Sequence, residues 1–366
     1  MTDSLVCQIA LTLVPGVGGV NGRKLVAYCG GVEAVFREKT KALLRIPGIG
    51  NTLAGALHSA DVISRAEKEA RFVEKNRIRT VFYTDKEYPR RLHHCADAPM
   101  MLYVKGPVDL NNDRILSMVG TRSATEYGKE VVSHLIDGLA AFNVLIVSGL
   151  AYGIDSCSHK AALLNNLPTV AVLAHGLDRI YPQANRSLAV RMIEWGGLVT
   201  EFISETNPDR ENFPKRNRII AGLADAVVVV EAGRKGGALI TAEIANSYNR
   251  DVFAVPGRLS DEYSVGCNFL IRTNKAALIQ SNEDIIYLMG WEKSGEFTGS
   301  RQALLFHSLT QEEEMLVKIL DAQGECTVDW LSLQSGLTLG KVTSLLLTLE
   351  FKGIVKSLPG KIYKMG

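Results

Sequence analysis

Between Ile115 and Gly257 the chain alternates short, unbroken apolar runs with segments of helical spacing. The runs are 115–119 (ILSMV), 144–147 (VLIV), 169–173 (TVAVL), 226–230 (AVVVV) and 252–255 (VFAV). Apolar runs of this length without alternation read as strands buried on both faces, the habit of parallel sheets. The segments between them, such as Ile154–Leu164, carry good helix formers. Strands alternating with helices predict an α/β, Rossmann-like, doubly wound and mostly parallel sheet. Ligands of such sheets sit outside the carboxyl ends of the strands. The turns after these runs are therefore where chemistry is expected.

The flanks have other periods. Residues 1–78 read as a helical domain in which Val14-Pro-Gly-Val-Gly and Ile46-Pro-Gly-Ile-Gly each separate two helical runs. That repeat is the signature of a helix-hairpin-helix (SAM-like) unit, whose glycines permit a tight turn and whose exposed N–H groups can meet a phosphate. Asp61–Lys75 reads as a charged amphipathic helix with a solvated face. The central domain, 79–290, opens with strands at 79–83 and 101–104. A polar Gly/Ser-rich stretch, 291–303, reads as a linker. In 304–366, Thr310-Gln-Glu-Glu opens a helix; helices at 329–334 and 339–353 and a closing hairpin complete a winged-helix domain. Its recognition helix carries only Lys341 and Lys352 as cations, thin for a major groove, and leaves protein contact equally open.

At 366 residues, two or three domains are expected. No apolar run approaches the roughly 20 residues that span a bilayer, and Met1-Thr-Asp-Ser is not a basic leader. A cytoplasmic protein without membrane partners is expected. The six cysteines form no Cys-x-x-Cys pair, so neither metal nor other cofactor is expected. A net charge of +2 means that affinity for a polyanion must come from a local patch.

The turns supply such a patch. Val119-Gly-Thr-Arg presents Thr121 and Arg122 to an anion; the competing reading pairs Arg122 with Glu126 or Glu130. Ser148-Gly-Leu-Ala-Tyr-Gly-Ile-Asp offers Ser148, the Gly149 N–H and Tyr152, with Asp155 as a helix cap and His159 as a packed histidine. The third turn carries Asp178, Tyr181 and Arg186. In Phe213-Pro-Lys-Arg-Asn-Arg, Lys215, Arg216, Asn217 and Arg218 cluster in the first turns of a helix, and Phe213 offers a ring for a base to stack on. Lys215 and Arg218 are expected on one face, Ile219, Ile220 and Leu223 on another. Lys235, Gly236 and Gly237 form a fourth turn, and Asn268 belongs to a further one. Together these predict a polyanion groove. A second reading is a nucleotide-processing hydrolase, with Glu201 or Glu231 as acid or base and Glu243 near Gly236-Gly237.

As one ordered set, these motifs resemble the DNA-processing protein DprA (Smf) family, closely over roughly residues 80–280. The resemblance implies an extended Rossmann-like domain that binds single-stranded DNA. It implies a homodimer that loads RecA recombinase during natural transformation, with no catalytic activity. Carried over by position, phosphate contacts are implied for Thr121, Arg122, Ser148, Gly149, Lys215, Arg216 and Asn217. At 234–238 (RKGGA) the chain lacks a serine that the family commonly has between the glycines.

Overall fold

The computed structural model describes residues 4–291 and 309–366. Its centre is a nine-stranded sheet of β1 (Arg79–Phe82), β2 (Met101–Lys105), β3 (Ile115–Val119), β4 (Leu145–Ser148), β5 (Thr169–Val172), β6 (Gly197–Thr200), β7 (Ala226–Val229), β8 (Asp251–Ala254) and β9 (Ala277–Leu278). The order is β1-β2-β6-β5-β4-β3-β7-β8-β9. From β6 to β9 every neighbour is parallel; β2 joins β6, and β1 joins β2, antiparallel. The chain winds outward from β3 to β6, then returns to lay β7 on the other side of β3. The winding direction thus reverses between β3 and β7, and the crevice of a doubly wound sheet opens at such a point.

The apolar runs are the strands: every residue of β3, β4, β5 and β7 is buried. Successive side chains point to opposite faces. Ile115 and Val119 pack with Ile219, Ile220 and Ala242 on one side. Leu116 and Met118 pack with Val132, Leu135 and Ile154 on the other. β9 was not legible, because two exposed residues carry no pattern.

The helical expectation for the N-terminus holds. Gly16 (φ 84°) and Gly48 (φ 87°) make the turns of the two hairpins, and Lys24 of the first donates to the Pro47 carbonyl of the second at 3.2 Å. This unit shares a core with Phe82, Met101 and Tyr103 of the sheet. Gly22 makes that docking possible, since a Cβ there would lie 1.9 Å from the Met100 sulfur. The Ala60–Lys75 helix departs from its solvated reading. Glu69 is 1% exposed, pairs with Arg65 at 3.0 Å and accepts from the Ser204 N–H at 2.9 Å, so part of the charge stitches the helix to the sheet domain.

The C-terminal unit is a winged helix. Thr310 and Glu313 form a reciprocal capping box at the start of Gln311–Gln323, and helices Val328–Ser335 and Leu339–Phe351 follow. β10 (Cys326–Thr327), β11 (Val355–Leu358) and β12 (Ile362–Met365) form a sheet in the order β10-β12-β11. The expected linker lies, apart from Trp291, outside the described residues.

Candidate nucleic-acid interface

The loop after β3 and the loop after β7 are stapled side by side: Thr121 N–H donates to the Glu231 carbonyl at 2.8 Å. Beyond the staple opens a cavity of about 990 Å³. Its walls include Thr121 and Arg122 after β3, the first turns of the Asn212–Leu223 helix, and 232–238 running into the Gly237–Ser247 helix. Glu231 itself turns away. Its carboxylate accepts from the Thr125 N–H at 3.0 Å and from the Thr125 hydroxyl, and Thr125 caps the Glu126–Gly138 helix.

Phe213 is the hub of the wall. The Arg122 guanidinium lies 5.4 Å from its ring centroid, Arg216 5.9 Å, and the Tyr181 ring 6.2 Å. Arg122 is exposed and, among the described residues, has no carboxylate partner; Glu126 takes Lys129 at 2.6 Å instead. Arg216 is of another kind. It is 4% exposed and donates to the Val172 carbonyl at 2.9 Å. Burial pulls its pKa down to about 10, with Asp155 opposing that shift, so it stays charged at neutral pH. It sets a fixed positive charge behind Phe213 rather than a free hand for a ligand.

The opposite wall is the open start of the Gly237–Ser247 helix. No side chain caps it, so its first N–H groups and the positive end of its dipole face the cavity. Asn217 holds it by donating to the Gly237 carbonyl at 3.3 Å. Lys235 and Arg234 flank it without ion pairs among the described residues.

The structure thus gathers Thr121, Arg122, Phe213, Arg216, Asn217, Lys235, Gly236 and Gly237 around one cavity. Tyr152 is exposed on the loop after β4 and Arg186 at the start of the Arg186–Trp195 helix, at the same end of the sheet, and Asn185 ties the two segments by donating to the Leu150 carbonyl at 2.8 Å.

The remaining candidates sit elsewhere. The Ser148 hydroxyl is buried and donates to the Met118 carbonyl at 2.6 Å. The Gly149 N–H is taken by Asp155 at 3.2 Å. Both groups are therefore spent on the fold. Asp155 is not the helix cap, a position held by Gly153. It braces the loop by also accepting from the Ala151 N–H at 3.3 Å. Burial pushes its pKa up against the pull of Arg216. Arg218 pairs with half-buried Glu201 and donates to the Asp97 carbonyl. Exposed Lys215 shares that side, its charge acting on Glu201. The helix presents Phe213, Arg216, Asn217 and Ile220 to the cavity, one face round from the expected cationic pair. Asn268 donates to the Gly257 carbonyl at 2.9 Å and accepts from its N–H at 3.2 Å, pinning the loop after β8.

That loop was missed: Leu259, Ser260, Glu262 and Tyr263 line the cavity. The available signal was position alone, since the loop follows a strand beside β7. The hydrolase candidates are all engaged: Glu201 with Arg218, Glu231 with Thr125, and exposed Glu243 with Lys275 at 3.1 Å. No helix among the described residues is long and apolar enough to cross a membrane, and no group of His, Cys, Asp and Glu among them is placed to hold a metal ion.

Comparison with known proteins fits this geometry. A family model described as DNA recombination-mediator protein A matches residues 79–290, and one described as the DprA winged helix domain matches 306–361. The chain is 33% identical over 393 residues to Protein Smf of Synechocystis sp., covering 97% of each. The fold matches the X-ray structure of DNA processing protein A from Streptococcus pneumoniae at a TM-score of 0.65 and 32% identity, over 80% of this chain and 99% of that one. It matches DNA processing protein A from Helicobacter pylori, described for its single-stranded DNA binding mode, at 0.54 and 27%, over 59% of this chain and 99% of that one. The chain belongs to the DNA recombination-mediator protein A (DprA/Smf) family.

Proposed function

We propose that the protein binds single-stranded DNA without sequence preference in the crevice between β3 and β7. The observation that carries this reading is the Phe213 ring, flanked by the unpaired Arg122 and facing the uncapped Gly236-Gly237 helix start. A ring for a base beside donors for the adjoining phosphate is what sequence-tolerant strand binding needs. The direct contacts assigned are Thr121, Arg122, Phe213, Lys235 and the N–H groups of Gly236 and Gly237, with Arg216 and Asn217 holding them in place. Tyr152 and Arg186 extend the track along the strand ends. Kinship with the family supports two further steps: the protein acts as a homodimer, and it delivers the bound strand to RecA recombinase during DNA uptake. The role is that of a binder and mediator, not a catalyst. The test is competition between single- and double-stranded oligonucleotides of equal length over a range of salt. Single-strand preference with a steep salt slope is expected; equal affinity for the duplex refutes the assignment.

A further inference from the structure

The Phe213 ring sits in the first turn of the Asn212–Leu223 helix, and that helix start has no side-chain cap. A first turn without its own cap takes its placement from the chain before it. That chain, 201–211, is held from outside the sheet domain, by the Ala60–Lys75 helix of the N-terminal unit.

The hold centres on two buried residues, Glu69 at 1% and Ser204 at 5% exposed. The Glu69 carboxylate accepts from the Ser204 N–H at 2.9 Å and from the Ser204 hydroxyl at 2.5 Å. Arg65 pairs with Glu69 at 3.0 Å and donates to the Ser204 carbonyl at 2.5 Å. One helical turn thus engages the N–H, the hydroxyl and the carbonyl of Ser204. Lys68 adds a contact to the Glu205 carboxylate at 2.8 Å. Glu205 itself lies at φ 69°, a left-handed conformation that a residue with a Cβ keeps only where its surroundings impose it.

From Glu205 the hold reaches the crevice wall by two routes. The Glu205 N–H donates to Asp178 at 2.9 Å, Asp178 accepts from Arg179 at 2.9 and 2.8 Å, and Arg179 donates to the Asn207 side chain at 2.5 Å. Buried Asn212 donates to the Asn207 carbonyl at 3.2 Å, and Phe213 is the next residue. Asp178 and Arg179 also precede Tyr181 in the third turn, and the Tyr181 ring backs Phe213 at 6.2 Å. Leu177 and Ile203, one from each turn, pack on the core of the N-terminal unit.

We propose that Glu69 is a positioning residue for strand binding: acting through Ser204, the N-terminal unit aims Phe213 into the crevice without itself touching the strand. The proposal rests on the crevice reading above. A ring placed before the base arrives has little freedom left to lose on binding. Loosening the turn therefore weakens stacking but removes no cation from the crevice.

The test is a mutant cycle between Glu69→Ala and Phe213→Ala in the full chain. It is read as affinity for a labelled oligodeoxythymidylate across a salt series, with urea melts fixing conditions in which each variant is folded. Glu69→Ala should weaken binding at least about threefold when Phe213 is present and by less than about 1.5-fold in Phe213→Ala, with the salt slope unchanged by Glu69→Ala in both. Should Glu69→Ala not fold, Ser204→Ala, which removes only the hydroxyl link, passes through the same cycle, with a loss of at least about twofold confined to the chain that keeps the ring. The proposal alone is overturned if Phe213→Ala weakens binding but the positioning variant loses nothing. It is equally overturned if that variant loses the same factor with and without the ring, as a general loosening would. Wild-type affinity in Phe213→Ala overturns the crevice reading and the proposal with it.

Discussion

Removing the Arg122 guanidinium tests the crevice most directly, because its contact with Phe213 at 5.4 Å makes two separable predictions. Arg122 is exposed and carries no structural ion pair among the described residues, so Arg122→Ala should leave the melting temperature nearly unchanged. A charge-assisted contact contributes about 1.5–3 kcal/mol, so affinity for single strands should fall by roughly 10- to 100-fold. Each phosphate neutralised on a single strand releases about 0.7 of a counterion, so the slope of log K against log salt should become shallower by about 0.7. Phe213→Ala should cost about 1–3 kcal/mol through lost base stacking while leaving that slope alone. Because the guanidinium leans on the ring, removing either frees the other. The double variant should therefore lose less than the sum of the singles, with a coupling of at least about 0.5 kcal/mol. Fluorescence anisotropy of a labelled oligodeoxythymidylate across a salt series reads all of these quantities. Wild-type affinity and slope in Arg122→Ala would remove the crevice from the account.

Three further expectations concern the support behind the crevice. Gly149→Ala places a Cβ 1.6 Å from the Arg216 Nη1. Displacing that buried guanidinium should cost about 3–5 kcal/mol and weaken strand binding together with stability; a variant as stable as wild type in urea would show that the wall yields freely. Arg218→Ala leaves half-buried Glu201 without its partner and should destabilise by about 1–3 kcal/mol while leaving the salt slope intact, whereas a shallower slope would put Arg218 back on the DNA. Fully buried His159 has its pKa lowered from 6.5 to about 3, burial first and Arg216 second. The unfolded chain takes up the proton below pH 6.5 and the folded one does not. Stability is therefore complete above that pH and is lost as pH falls towards 3. The loss from pH 7 to pH 5 should be about 2 kcal/mol, read as the difference in pH dependence between wild type and His159→Phe in denaturant melts; identical dependence in the two refutes it.

How far the crevice was legible in the sequence follows from what each signal measures. Unbroken apolar runs report burial on both faces, so β3, β4, β5 and β7 could be read without knowing their neighbours. Of the turn glycines that line the cavity, Gly120 reports a close approach, a Cβ there lying 2.4 Å from Ile154, whereas Gly236 and Gly237 have open space or ordinary contact beside them. Charge was the poorer guide. Lys215 and Arg218 looked like the working pair because they are cations spaced along one helical face, but spacing does not say which face meets the ligand. That depends on Glu201, seventeen positions before Arg218 in the sequence and brought to it only by β6 and the turn that follows. Ser148 misled in the same way: a hydroxyl in a Gly-rich turn resembles a phosphate ligand until the Met118 carbonyl on the neighbouring strand claims it. Arg216 shows why these errors share one cause. An anion site needs donors that are already aimed, and aiming them requires a second layer of polar groups spent on the fold. Ser148, Gly149, Asp155 and Arg216 form that layer, and in a linear sequence it has the same composition as the layer that touches the ligand. Only burial separates the two, and burial is a property of the folded neighbourhood. The variants above exploit this: residues of the outer layer should change affinity at constant stability, the charged ones with the salt slope as well, and those of the inner layer should change affinity and stability together.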